Sequence, residues 1–206
     1  MLEMIEARAD FNHGFFSLIK NQVTMALDEQ AFKAFQERFI NAFRNIPDFP
    51  KPGIQFKDLT TVLKDKAVFA ETVDVLTEMY KDKNINKIVG IESRGFIFGA
   101  ALAYKLDAGL ILVRKPGKLP AETIKEEYEL EYGTDALEIH VDGIEKGDRV
   151  LIHDDLLATG GTAEATCKLI ERLGGEIAGV CFLTELGFLN GRAKLSKYDV
   201  KALATF

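Results

Sequence analysis

The sequence predicts an α/β fold in which a mostly parallel, twisted sheet is flanked by helices. Three observations carry that expectation. Short apolar runs such as Lys87-Ile88-Val89-Gly90-Ile91 and Leu110-Ile111-Leu112-Val113 have the length and branching of buried strands. Stretches with apolar residues at helical spacing stand between them, and such alternation calls for parallel pairing through crossovers. Where the run Val150-Leu151-Ile152 ends, two carboxylates and a small-residue loop lead into another helical pattern. Open sheets of this class bind their ligands at the carboxyl ends of strands.

Along the chain, residues 1–24 read as an N-terminal extension, because Met25-Ala26-Leu27-Asp28-Glu29-Gln30 is a plausible start in its own right. Residues 25–206 then form a single domain. Phe32, Phe35, Phe39, Ile40 and Phe43 recur at helical spacing, which predicts a helix over 29–45 that ends before Pro47 and uses its aromatic stripe for packing. A second helical pattern covers 68–80. The run at 87–91 is a strand leading into a helix from Gly95 to about Leu106, and 110–113 is the next strand. Residues 128–131 and 136–141 alternate as strands do. Arg149 to Ile152 is a central strand, 163–173 its helix, and 176–183 returns to strand. No internal repeat or low-complexity tract interrupts the pattern.

Composition bounds the function. With 206 residues, 47% of them hydrophobic and 28% charged, the chain can build one core without staples. A net charge of -6 argues against a nucleic-acid surface, although a local basic patch can still bind phosphate. Cys167 and Cys181 fall on a predicted helix and strand with no Cys-x-x-Cys or Cys/His cluster, so reduced core thiols in a cytoplasmic protein are expected. No apolar run approaches the roughly 20 residues of a membrane helix, and Glu3 and Glu6 do not suit a secretion signal.

The segment Asp154-Asp155-Leu156-Leu157-Ala158-Thr159-Gly160-Gly161-Thr162 carries the most chemistry. A helix start offers unpaired N–H groups and the positive end of the macrodipole, and glycines let a phosphate approach the main chain. Carboxylates repel that phosphate, so they face something else: sugar hydroxyls or magnesium. Taken piecemeal, an acidic pair and a Gly-Gly turn with Thr159 or Thr162 as a cap are ordinary loop chemistry. Their unbroken order after an apolar strand is not. Neither a Gly-x-x-x-x-Gly-Lys-Ser/Thr loop nor a Gly-x-Gly-x-x-Gly fingerprint is present. Arg114, Lys115 and Lys118 crowd around Pro116 and Gly117, an unusual density for an acidic chain, which reads either as a solvated loop or as neutralisation for a diphosphate.

That segment resembles the phosphoribosyl-diphosphate motif of the type I phosphoribosyltransferase family, and its wording is similar to the members that act on adenine. Pro47 to Asp58, Glu92-Ser93-Arg94-Gly95-Phe96, Arg114 to Pro120 and Leu130-Glu131-Tyr132-Gly133-Thr134 resemble the family in its own order, over about residues 29–186. The resemblance implies the type I fold, with a small hood and a flexible lid loop around 119–134. It implies a purine-salvage transferase that makes AMP and diphosphate from adenine and 5-phosphoribosyl 1-diphosphate, with Mg2+ carried by the diphosphate near Asp154 or Asp155, in a homodimer. Its partners would be small molecules, with neither nucleic acid nor membrane.

By the same resemblance, Ala158, Thr159, Gly160, Gly161 and Thr162 surround the 5-phosphate, while Asp154 and Asp155 meet ribose hydroxyls. Arg114, Lys115 and Lys118 serve the diphosphate side, Ser93 is a further substrate-binding residue, and the Glu92–Ser93 peptide is cis. Catalytic roles fall to Glu131, Tyr132 and Arg94, with Glu131 as the acid or base that exchanges a proton with the purine. Phe56 would stack on the base, the alternative being a core phenylalanine, while main chain at Gln55 and Lys57 reads the purine edge. Two positions depart from the family: His153 stands where an apolar residue is usual, and Lys57 where arginine is common. His153, His13 and His140 read as tolerated histidines rather than catalytic bases. A transferase for another purine and a non-enzymatic nucleotide sensor are the rival readings.

Overall fold

The computed structural model describes residues 29–49, 51–53, 55–129 and 133–206. The expected extension over 1–24 lies outside the described residues. In chain order the helices are α1 (Glu29–Ala42), α2 (Thr60–Lys64), α3 (Lys66–Tyr80), α4 (Gly95–Lys105) and α5 (Gly161–Leu173). The strands are β1 (Arg44–Pro47), β2 (Gln55–Asp58), β3 (Lys87–Ile91), β4 (Gly109–Val113), β5 (Thr123–Glu129), β6 (Thr134–His140), β7 (Arg149–Leu157), β8 (Glu176–Glu185) and β9 (Val200–Thr205). Five of them form the central sheet in the order β4-β3-β7-β8-β9, with every neighbouring pair parallel. The mostly parallel α/β fold expected from the alternation is therefore present.

Strand β7 divides the core because its side chains alternate between the two faces of the sheet. Leu151 joins Phe35, Phe39, Leu76, Phe98 and Leu203 in the layer under α1, α3 and α4. Val150 and Ile152 join Val89, Phe182, Leu169 and Ile170 under α5, where Leu137 and Ile139 of β6 complete the cover. Burying side chains of this size stabilises the fold by about 1.5–3 kcal/mol each. Helix α3 is started by Asp65, whose carboxylate accepts the N–H groups of Ala67 and Val68 at 2.9 and 3.2 Å. Helix α4 comes unusually close to β7: a β-carbon on Gly95 would stand 2.7 Å from the His153 carbonyl oxygen. Only glycine permits that approach, which sets Arg94 beside the end of β7.

Several boundaries differ from the sequence expectation. Helix α1 stops at Ala42 instead of reaching 45, and the next residues form β1, paired antiparallel with β2. Pro47 is tolerated at the end of that short strand. Ile40, counted in the apolar stripe, is 38% exposed. Strand β5 begins at Thr123, well before 128, and Leu130 to Tyr132 lie outside the described residues. Strand β7 continues five residues beyond Ile152, so Asp154 and Asp155 are strand residues and not the start of the loop. After Leu186 the chain makes two 3-10 turns, Gly187–Leu189 and Gly191–Leu195, and then adds β9 to the sheet, an element with no counterpart in the expectation. No helix of the described residues is long and apolar enough to cross a membrane.

Cys167 and Cys181 are both free and buried. Cys181 Sγ lies 3.2 Å from Nδ1 of His153, which is wholly buried against Phe98. Burial holds the His153 pKa down to about 4, so the folded protein keeps this imidazole neutral. An unfolded chain takes up its proton near the ordinary value of 6.5. His153 therefore costs the folded state nothing above that pH and destabilises it progressively as pH falls towards 4. Replacing His153 with Leu should remove that acid sensitivity. The stability difference between variant and wild type, measured by urea melts, should shift in favour of the variant by roughly 3 kcal/mol between about pH 7 and about pH 4.

Candidate active site

The carboxyl end of β7 brings the acidic pair and the glycine loop together. Asp154 and Asp155 are half-buried, and an Asp154 Oδ1 atom accepts the Asp155 N–H at 2.9 Å. Burial, with the Asp155 carboxylate next to it, pushes the Asp154 carboxyl well above the usual carboxylate range. Asp155 is tied to the guanidinium of Arg94, and its carbonyl accepts the Thr184 hydroxyl at 3.1 Å. Beyond Leu157 the loop runs to Gly160, which adopts φ +80, and α5 starts at Gly161, two residues earlier than the expected helix. The first-turn N–H groups of α5 thus follow directly on this loop.

A cavity of about 500 Å3 opens at this point. Six of the expected site residues line it: Ser93, Arg94, Lys115, Asp154, Asp155 and Thr162. Gly161 lines a neighbouring cavity of about 350 Å3 with Lys168 and Lys194, and Tyr128 of β5 forms part of both walls. The Glu92–Ser93 peptide is cis, as the resemblance implies.

The three cations after β4 are not equivalent. Glu92 Oε2 accepts Arg114 Nε at 3.1 Å and the Lys115 N–H at 3.0 Å, fixing the Arg114 guanidinium to a carboxylate of the cavity wall. Burial raises the Glu92 pKa, but the Lys115 N–H and the Arg114 guanidinium outweigh it and the net shift is downward. Across the turn, Gly117 N–H donates to Glu138 Oε2 at 3.0 Å, so two carboxylates hold the loop from opposite sides. Lys118 makes its hydrogen bonds through its main chain, donating to the Lys115 carbonyl at 3.3 Å while its own carbonyl accepts from Arg114, and its charge adds to the lowering of the Glu92 pKa. Lys115 alone of the three lines the cavity, with Nζ 2.9 Å from Asp135 Oδ2. Hydrogen bonding to Asp135 raises the Lys115 pKa, and the reciprocal bond lowers that of Asp135. The Tyr128 hydroxyl donates to the same Asp135 oxygen at 3.3 Å and reaches the Thr162 side chain; burial raises its pKa.

Other expected residues stand apart from this cavity. Gln55, Phe56 and Lys57 lie on β2 outside its lining. Phe56 meets Phe49 edge-on at 5.2 Å, Gln55 accepts from Asn45 at 2.6 Å, and Lys57 Nζ sits 4.7 Å over the Phe206 ring. Ala158, Thr159 and Gly160 form the loop itself but not the cavity wall. Glu131 and Tyr132 lie outside the described residues. Sequence reasoning missed Tyr128, Asp135 and Glu138, and saw Glu92 only as part of a motif. A signal existed in charge: the acid-rich pair of strands faces the cation-rich loop.

The phosphoribosyl transferase domain family matches residues 58–203. An adenine phosphoribosyltransferase of Geotalea uraniireducens is 60% identical over 166 residues, covering 81% of this chain and 97% of that protein. The crystal structure of adenine phosphoribosyltransferase from Thermoanaerobacter pseudethanolicus superposes with a TM-score of 0.80 at 54% identity, covering 83% of this chain and 99% of that one. The Saccharomyces cerevisiae enzyme, complexed with an imino-altritol bisphosphate and adenine, has a TM-score of 0.79 at 40% identity, with coverage of 83% and 99%.

The Glu92 contacts lead to a direct test of the cation loop. Glu92→Gln removes the charge that holds Arg114 and the Lys115 amide, so affinity for inorganic diphosphate, read by calorimetry, should fall about tenfold while the melting transition stays cooperative.

Proposed function

The chain belongs to the adenine phosphoribosyltransferases, a family built on the phosphoribosyl transferase domain, and from that membership we propose that it is a purine-salvage transferase converting adenine and 5-phosphoribosyl 1-diphosphate to AMP and diphosphate. One observation of geometry carries the reading: a single cavity is lined by Thr162 at the start of α5, by the two carboxylates of β7 and by the cations Arg94 and Lys115. The N–H groups at the start of α5 and the Thr162 hydroxyl take the 5-phosphate. Asp155 accepts from a ribose hydroxyl, and Asp154, with its raised pKa, either donates to one or accepts from one.

The reaction is a displacement at the anomeric carbon. Its C–O bond to diphosphate breaks as a bond to the purine nitrogen forms on the opposite face, through an oxocarbenium-like transition state. Lys115 and Arg94 stabilise the departing diphosphate, and the loop held by Glu92 brings Arg114 and Lys118 to its rim. Glu131 receives the proton released from the purine nitrogen. Phe56 stacks on the base, and the main chain of Gln55 and Lys57 reads its edge. That role leaves the Lys57 side chain free for its contact with Phe206.

No cluster of three or more His, Cys, Asp or Glu able to hold a metal exists among the described residues. A magnesium ion would be held chiefly by diphosphate oxygens, with Asp154 or Asp155 able to meet it. When bound, magnesium supplies charge neutralisation for the leaving group. Ile97, 39% exposed, and Tyr104, 80% exposed, project from the helix that begins next to Arg94, which supports a homodimer closing over α4. Two buried free thiols suit a cytoplasmic setting.

Two experiments test the reading. Turnover of labelled adenine, hypoxanthine, guanine and xanthine with 5-phosphoribosyl 1-diphosphate should single out adenine; preference for another base would move the chain to a sister activity, and no turnover at all would favour a nucleotide sensor. Glu131→Gln should lower kcat by about 100-fold or more with little change in phosphoribosyl-diphosphate affinity, whereas equal losses in both would remove Glu131 from the proton transfer.

A further inference from the structure

Gly191 belongs to no motif picked from the sequence, yet its bare α-carbon is pressed against the loop that precedes α5. A β-carbon built on Gly191 overlaps the Ala158 carbonyl oxygen outright and stands 3.0 Å from Leu157 Cδ1 and 3.1 Å from the Gly160 nitrogen. The constraint is mutual, since a β-carbon on Gly160 would meet the Gly191 carbonyl oxygen at 2.5 Å. Gly191 is not among the residues of positive φ, so what excludes a side chain there is contact and not backbone conformation.

The turn that carries Gly191 is itself firmly held. Glu185, at the end of β8 and only 5% exposed, accepts Arg192 Nε with both oxygens at 2.9 and 2.8 Å. Arg192 Nη1 also donates to the Val200 carbonyl at 2.7 Å, which ties the turn to β9. Leu186 N–H donates to the Leu157 carbonyl at 2.9 Å, and Leu195 is wholly buried. The glycine loop is therefore backed by main chain anchored to three strands of the central sheet.

We propose that Gly191 is a positioning residue: the turn it occupies is the back wall that fixes the curvature of residues 158–160, and so aims the N–H groups of the loop and of the α5 start at a sugar 5-phosphate. This rests on the assignment of that loop to the phosphate under Proposed function. Hydrogen bonds to phosphate oxygens tolerate little displacement, and a misplacement of about 1 Å costs on the order of 100-fold in well-aligned sites. A methyl group on Gly191 has to push the Ala158 carbonyl away, and the amides that follow move with it.

The test compares AMP with adenosine, which differ only in the 5-phosphate, by calorimetry on the full chain. Wild type should prefer AMP, and Gly191→Ala should reduce that preference at least tenfold, about the worth of one charge-assisted hydrogen bond. Gly174→Ala serves as the control for general strain: Gly174 has φ +88 at the far end of α5, so that variant should melt earlier but keep the preference. Should Gly191→Ala fail to fold, Arg192→Ala loosens the same turn and should reduce the preference at least threefold, roughly half of such a bond. An unchanged preference in folded Gly191→Ala, or in Arg192→Ala if that variant has to replace it, overturns the proposal. A wild type that binds AMP no better than adenosine overturns the phosphate assignment beneath it.

Discussion

Negative charge beside negative charge is the problem that organises this site. The acidic pair at the end of β7 stands where a helix start invites an anion, in a chain whose net charge is already -6. Coulomb repulsion at these separations reaches several kcal/mol in a partly buried setting, so the carboxylates have to be balanced locally. Arg94 balances Asp155, and burial biases Asp154 towards its neutral form. The positive loop after β4 is subject to the opposite demand: Glu92 and Asp135 restrain Arg114 and Lys115, and Glu138 holds the Gly117 amide of the same turn. What looks like a scatter of surface ion pairs is one charge distribution arranged around a cavity.

That arrangement needs short distances, and the chain achieves them with main chain instead of side chains. Gly95 lets α4 lie against β7, which delivers Arg94 to Asp155. Gly161 admits the Tyr128 ring, whose Cδ2 would come within 3.3 Å of a β-carbon placed there. Each glycine costs conformational entropy on folding. The parallel sheet supplies the rigidity against which these close contacts are defined.

How much of this was legible follows from the physics of each element. Runs at 87–91 and 110–113 are apolar on both faces because the central sheet is covered on both sides, and they read directly as β3 and β4. Helix α5 read well because Gly160 and Gly174 punctuate it. The second half of β7 was hidden, since two aspartates look like a loop unless their ligand is known. Strands β1 and β2 are four residues each and paired with one another, too short to leave a periodic trace. Strand β9 sits at the sheet edge with small alanines and Lys201, too weak a pattern to predict. In the site, the motif residues at 93–94, 115, 154–155 and 162 converge on one cavity, whereas 55–57 stand outside its lining. The restraining acids escaped notice because their meaning depends on contacts across the fold, which no local spacing encodes.

The pairing of Lys115 with Asp135, shared with Tyr128 and extended towards Thr162, bears on how the site treats the abundant anions around it. A bare lysine would attract any passing sulfate or orthophosphate. Here an intruder at that lysine must displace a carboxylate already in place, and it gains nothing at the other end of the chain of contacts. Anion entry at Lys115 is thus tied to release of Asp135, and through the shared Tyr128 hydroxyl to the Thr162 end of the same cavity.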